Sequence, residues 1–453
     1  MLGCDTYVTC KHCATLSVIE MTALAVTWMR SPSAGTENFL PKSLNLRSLP
    51  RYNRFMAGLE EFAASWLRLR QMWLETRASE DPLAPRSEAI TSAEQMIRAR
   101  LVNLLNSTGE DAARLFASAR EIRDTHVGPR IDMRAAIDVG NVCRVNCHYC
   151  PMRRDNLRTI GKNGRGTISA YRADSAKIVE VAHHAYKLGF RELFLQSGED
   201  PHVLPDVKQA VSEITRVHPD YNITLNLGAL SEDEYRNLWD AGARYYLQKH
   251  ETANPSLHEQ QREETLQHRV EHMLKARRAG FEIGSGNILG LPNQTDDDLA
   301  DDILFLGRIN CETMVSCAPF TPSDELPPDT RAAASGDFEK TRRFIALLRV
   351  CFPNARIPAV SNADSPHMGR INRDKSGQAL LVDAGANGIT VNFTPPEWEA
   401  HYALYVRGTQ KSYLVSLQKA ERVAAETGLA IGLAHPQTAS SSRSMFAADV
   451  AAQ

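Results

Sequence analysis

Apolar positions along this chain recur in two rhythms. From residue 135 onward, short apolar runs of strand length are followed by longer stretches whose apolar residues return every three or four positions. The runs are AAIDV (135–139), ELFLQS (192–197), ITLNLG (223–228), RYYLQKH (244–250), EIGSGNIL (282–289), TMVSCAPF (313–320), RIPAVS (356–361) and GITVN (388–392). They predict eight strands. The helical rhythm predicts helices over 174–188, 205–217, 231–240, 263–279, 296–308, 337–351 and 375–384. Strands alternating with helices imply parallel pairing through right-handed crossovers. Eight units over about 260 residues match a complete (β/α)8 TIM barrel. An open doubly wound sheet is the runner-up. The barrel is preferred because the chemistry-bearing residues fall at strand C-termini, where barrel active sites lie.

Upstream of the barrel, 56–77 and 91–123 read as helices, the second with Ser92 and Glu94 near its start. Residues 31–53 are rich in Pro, Ser and Asn and read as linker. The expected organisation is an N-terminal extension over 1–90, partly disordered or helical, then a helical lead-in over 91–134. The barrel follows over 135–435, with a disordered tail over 436–453.

Composition narrows the classes. Over 453 residues the net charge is −2, so no basic face announces nucleic acid. No apolar run is long enough for a membrane span. Nine cysteines, clustered rather than evenly spaced, suit a reducing cytoplasm and a metal site better than a disulfide framework. Cys4, Cys10 and Cys13 form a Cys-x5-Cys-x2-Cys pattern that reads either as a metal clip or as an unstructured start.

The most informative cysteines are Cys143, Cys147 and Cys150, spaced Cys-x3-Cys-x2-Cys with no fourth nearby. A zinc site would want a fourth Cys or His at regular spacing, and His148 inside the motif is poorly placed for that. A cubane iron–sulfur cluster held by three thiolates keeps one iron open to a bound molecule.

Other strand ends carry polar groups. The second ends in Ser197-Gly198-Glu199-Asp200, where the glycine lets backbone approach a ligand and the carboxylates suit an ammonium; an ordinary capped turn is the bland alternative. The fourth ends in Lys249-His250-Glu251, with Arg269 in the following helix offering a fork for a carboxylate. Gly286 and Gly290 on the fifth mark either close approach of an adenine ring or a bulge.

Together these motifs resemble the radical S-adenosylmethionine (radical SAM) superfamily. The similar branch contains biotin synthase, methylornithine synthase and the HydE-type [FeFe]-hydrogenase maturase. CRVNCHYCPMRRDN (143–156), LQSGEDP (195–201), KHETANP (249–255) and GANGITVNFTPP (385–396) look most like the maturase. The resemblance covers residues 90 to 435. It implies that Cys143, Cys147 and Cys150 ligate a [4Fe–4S] cluster and that Tyr149 lies near the adenine of SAM. Ser197, Gly198, Glu199 and Asp200 would hold SAM's amino group, with Glu251 and Arg269 on its other polar groups. It also implies an electron donor of ferredoxin or flavodoxin type and a 5′-deoxyadenosyl radical that abstracts hydrogen from a small substrate.

Departures sit at the substrate end. Gly284 stands where the biotin synthase pattern has a cysteine, which disfavours sulfur insertion. Cys317 reads as a small buried hydrophobe. No cysteine follows Cys351, so an accessory C-terminal cluster is not expected. Candidate substrate contacts are Asn226, Lys249, Ser361, Asn362, Asp364 and Asn392, and they suggest an amino-acid-like substrate. SPHMGRINRDKS (365–376) could form a lid or part of the pocket.

Overall fold

In a computed structural model of the chain, the described residues are 51–159, 169–365, 374–402 and 413–433. Cys4, Cys10, Cys13, most of 365–376 and the 436–453 tail lie outside them.

The strands are β1 (Arg130–Gly140), β2 (Glu192–Ser197), β3 (Asn222–Asn226), β4 (Tyr245–Leu247), β5 (Glu282–Leu289), β6 (Val315–Pro319), β7 (Gly388–Asn392) and β8 (Ala430–Gly432). They form one parallel sheet in the order β6-β5-β4-β3-β2-β1-β7, with β8 also on β1. The longer helices are α1 (Arg51–Glu75), α2 (Glu88–Leu105), α3 (Gly109–His126), α4 (Ser175–Lys187), α5 (Leu204–Val217), α6 (Glu232–Asp240), α7 (Pro255–Arg262), α8 (Leu266–Arg278), α9 (Asp296–Arg308), α10 (Phe338–Cys351), α11 (Gly377–Asp383) and α12 (Tyr413–Thr427). Their starts follow local chemistry. Ser231 and Thr295 make capping boxes with Glu234 and Asp298 at the heads of α6 and α9.

Three expectations are corrected. First, the parallel sheet is curled but open: among the described residues no strand joins β6 to β7. The RIPAVS segment passes between them and makes only single bridges, Met314 with Arg356 and Pro358 with Gly388. Pro358 has no N–H to give a ladder, and the Ile357 amide is taken by the Asn387 side chain at 2.9 Å. Second, the helix expected over 91–123 is two helices, interrupted at Asn106–Thr108, with Thr108 as the second N-cap. Third, the lead-in is not helical throughout 91–134, because β1 begins at Arg130, where it pairs with β8. The helix expected over 263–279 is present as α8, and a short helix, α7, precedes it.

The sheet's inner face sets the site. Side chains two apart on a strand share a face, so Arg134, Ala136 and Asp138 of β1 point the same way. The Arg134 guanidinium stacks 4.3 Å over the Phe194 ring. Ala136, Phe194, Leu247 and Met314 make a small apolar layer of their own. Asp138 and Gln196 are register partners at the next inward positions toward the strand C-termini. They stand above that apolar layer.

Outside the sheet, α1 and α2 cover α9 and α10. The Trp66 indole donates to the Cys351 carbonyl at 2.8 Å. Trp73 donates to Glu94 at 2.9 Å, and Arg308 grips the same carboxylate through two 2.8 Å bonds. The buried Glu94 is thereby fully paired.

Candidate active site

The loop after β1 carries the three cysteines and docks on two neighbours. Its Arg144 amide donates to the Glu199 carbonyl at 3.0 Å, and its His148 amide donates to the Gln261 carbonyl at the end of α7 at 2.8 Å. The Glu199 amide in turn donates to Cys143 Sγ at 3.4 Å. Gly198 makes this docking possible. A Cβ there would collide with the Val142 carbonyl and sit 2.9 Å from Cys143 Cβ.

Cys147 is buried, and Cys143 and Cys150 are half-buried. Desolvation raises all three thiols, with Cys143 pushed up to about 11, and each also feels a neighbouring cysteine or carboxylate as a like charge. Among the described residues no group of three or more His, Cys, Asp or Glu side chains forms a compact single-ion shell.

Around the thiols stand three arginines and two carboxylates. Glu199 accepts from the Ala229 amide at 2.9 Å and from Arg144 Nε at 3.1 Å. Arg262, the last residue of α7, reaches Glu199 through Nη2 at 3.4 Å. Its Nη1 reaches Cys147 Sγ and Tyr149 Oη, each at 3.3 Å. Glu251 sits in the left-handed region with φ of 63°, its amide donating to the Gly286 carbonyl at 3.1 Å. A non-glycine residue there is costly and marks a position the surroundings enforce. Its carboxylate pairs with Lys249 at 2.9 Å. Burial alone would raise Glu199 and Glu251. For Glu199, Arg269, Arg262 and Arg144 outweigh it; for Glu251, Lys249, Arg269 and Arg262 do. Both carboxyls lie below the usual range and are charged at neutral pH.

Comparison with known proteins supplies the family. Residues 137–306 match the family model described as Radical SAM superfamily. The "[FeFe] hydrogenase maturase subunit HydE" of Thermotoga maritima is 40% identical over 305 residues, covering 66% of this chain and 81% of that protein. The chain belongs to the radical SAM superfamily. The 3-methylornithine synthase of Methanosarcina barkeri is 25% identical over 293 residues, covering 64% and 76%. The crystal structure of methylornithine synthase (PylB) superposes with a TM-score of 0.58 at 20% identity, covering 74% of this chain and 94% of that one, and shows the shared fold.

Radical SAM enzymes use a [4Fe–4S] cluster and SAM, and the residues present fit both. The three thiols lie close enough to act on one another as like charges, and among the described residues no fourth cysteine joins them. Arg269 is buried at 5% exposure, and its Nε has no partner. A buried guanidinium left open in this way suits an incoming carboxylate. Tyr149 packs against the buried apolar group Leu257, Leu291, Phe320 and Leu326, an apolar lining that suits a purine.

Other expected residues are placed differently. Ser197 donates to the Gly198 carbonyl at 2.6 Å. Asp200 caps the turn at Pro201–Val203 and pairs with Arg172 at 2.5 Å, so the fold employs its carboxylate. Gly286 and Gly290 have no side chain because the backbones of Ser316 and Gly336 pack against them, which explains both without an adenine. Asp364 accepts the Gly377 amide at the start of α11, and Asn362 donates to the Pro319 carbonyl at 2.8 Å. These two hold their own loop. Ser361 opens the same short turn and is half-buried. Cys317 is fully buried.

Asn226 aligns in register with Gln196, and Lys249 and Asn392 stand at or just beyond the ends of β4 and β7. The sequence reading missed Asp138. It is fully buried, with Gln196 Nε2 at 2.6 Å and Thr394 Oγ1 at 3.1 Å. Burial opposed by neutral donors rather than a cation pushes it up to about 7. Strict alternation on β1 carried this signal, since Arg134 and Ala136 share its face. Arg262 and Arg144 were missed as well, being sequence-indistinguishable from surface charges.

Proposed function

We propose that Cys143, Cys147 and Cys150 hold three irons of the [4Fe–4S] cluster and that the fourth faces SAM. When bound, these cofactors supply reductive cleavage of SAM to a 5′-deoxyadenosyl radical, which takes hydrogen from a small, amino-acid-like substrate. Arg269, with its open Nε, receives the SAM carboxylate; Glu199 and Glu251, both held charged, take its ammonium and ribose hydroxyls. Tyr149 and its apolar surround seat the adenine and exclude water. Asp138, Gln196, Asn226, Lys249 and Asn392 form the floor and rim on which the substrate rests. The domain responsible spans 135–435, with segment 356–359 completing the barrel as a weak eighth stave. The electron donor is of ferredoxin or flavodoxin class, and the setting is cytoplasmic.

The observation that carries this reading is the convergence of three thiols, two charged carboxylates and an unsatisfied buried arginine on one sheet end. The test is anaerobic reconstitution with iron and sulfide, then dithionite and SAM, with 5′-deoxyadenosine read by mass spectrometry. Product from the native chain and none from a Cys143→Ala/Cys147→Ala/Cys150→Ala variant supports it; no cluster in the native chain overturns it.

A second reading is favoured by the 40% identity to HydE over most of that protein. It makes this chain a maturase for the [FeFe]-hydrogenase active-site cluster. Replacing HydE by this chain in an in vitro hydrogenase maturation assay decides: hydrogen evolution supports it, and an inactive hydrogenase beside intact SAM cleavage excludes it.

A further inference from the structure

The two buried arginines near the cysteine loop are in opposite states. Arg269 keeps an unpartnered Nε. Arg262 is as deeply buried, at 6% exposure, yet is committed at every nitrogen. Its Nε donates to Glu264 at 2.8 Å, Nη1 to Cys147 Sγ and Tyr149 Oη, and Nη2 to Glu199. Backbone geometry locks it there. The next residue, Glu263, caps α7 in the left-handed conformation at φ of 59°. That turn swings the Glu263 carboxylate back onto the cysteine loop, where it takes Asn146 Nδ2 and His148 Nε2, each at 3.1 Å. Arg262 is thus clamped from both sides.

The three sulfurs are not equivalent. Cys143 receives only neutral backbone amides, from Val145 and Glu199. Cys147 receives a donor from a delocalised cation. Hydrogen bonds to cluster sulfurs and nearby charge set the reduction potential, because both stabilise the more negative reduced cluster.

Resting on the assignment of Cys147 as a cluster ligand, we infer that Arg262 is a positioning residue. It sets the cluster's reduction potential through its N–H···S bond and ties that sulfur to the Glu199 limb of the SAM site. Glu264 moderates the effect by neutralising the same guanidinium. A lysine could deliver charge but not the planar fork that meets Cys147, Tyr149 and Glu199 together.

The test is an EPR-monitored redox titration of the reconstituted protein, with iron and sulfide content measured in parallel. Arg262→Met should lower the midpoint potential at unchanged iron content. Arg262→Lys should recover part of the difference. Glu264→Gln, which leaves every cluster contact in place, should raise it. Where Arg262→Met fails to load iron, Glu264→Gln decides: a raised potential supports the inference, and a native potential reduces Arg262 to a structural clamp and overturns it. Native potentials in all variants at full iron content also overturn it. Absence of a cluster from the unmodified protein would instead overturn the cysteine assignment on which it rests.

Discussion

Gly198 and the carbonyl of Val142 are packed so closely that no side chain can stand between strand end and cysteine loop. Gly198→Ala must therefore push the loop outward. Overpacking of this kind costs about 1–3 kcal/mol, and the displaced Cys143 loses its amide from Glu199. The expected result is a clear drop in iron bound per chain after reconstitution, with a lowered Tm. Native iron content in the variant would show that the loop sits elsewhere.

Arg269→Met removes the open guanidinium while keeping the volume of its stem. A charge-assisted hydrogen bond contributes about 1.5–3 kcal/mol, so SAM affinity should fall at least about tenfold. Calorimetry on reconstituted protein checks this, with iron content as the control. Unchanged SAM affinity would remove Arg269 from the site.

Asp138 gives a pH prediction. Its folded-state pKa is raised by burial to about 7, above the ordinary value near 3.9. The folded state holds this proton after the unfolded chain has released it. The contribution is complete below about pH 4 and is lost as pH rises to 7, amounting to about 4 kcal/mol at most. Glu399, pushed up to about 7 by burial and by Asp138, acts in the same direction. Thermal unfolding of the cluster-free protein should show Tm falling between pH 5 and 8. Asp138→Asn should flatten that slope, and an equal slope in both proteins would contradict it.

Trp66 links helix α1 to the helices that cover the sheet. It is 1% exposed, lies edge-on to Trp73 and Phe352 with ring centres 5.6 Å away in each case, and bonds the Cys351 carbonyl. Trp66→Ala should cost about 3–5 kcal/mol, read from urea unfolding. Trp66→Phe should cost far less. A negligible cost for Trp66→Ala would mean that α1 does not stabilise the domain.

Much of this was legible in the chain because local chemistry and packing agree. The runs 192–197, 282–289 and 388–392 are strands with the bounds their patterns gave, and 296–308 is a helix whose Thr295-Asp298 box announces its start. RIPAVS misled because its β-branched and apolar residues carry strand preference, while Pro358 and the Asn387 side chain remove the amides a ladder needs. Strand β8 is three residues long and rests only on the early part of β1, too little for a periodic signal. Within the site, motif residues could be named from spacing. Arg262 could not, since QQREE reads as a solvated helix end until the cysteine loop is laid across it. Asp200 and Asp364 show the converse: a carboxylate in a suggestive motif employed in holding a turn.

The thin stave at 356–359 gives the sheet an uneven compliance. Elsewhere in the sheet adjacent strands are joined by ladders of several residues, whereas here Arg356 and Pro358 each supply a single bridge. Local opening begins where fewest bonds must break. Amides near Ile357 and Ala359 should therefore exchange with deuterium ahead of those in β1, β2 and β3. The sheet then has a continuously paired run from β6 through β1 to β7, whose strand ends bear the cysteines and the carboxylate limbs, and a yielding seam between β6 and β7. Breathing of the sheet is then concentrated at that seam, while the ladders on both sides of β1 hold the start of the cysteine loop in place.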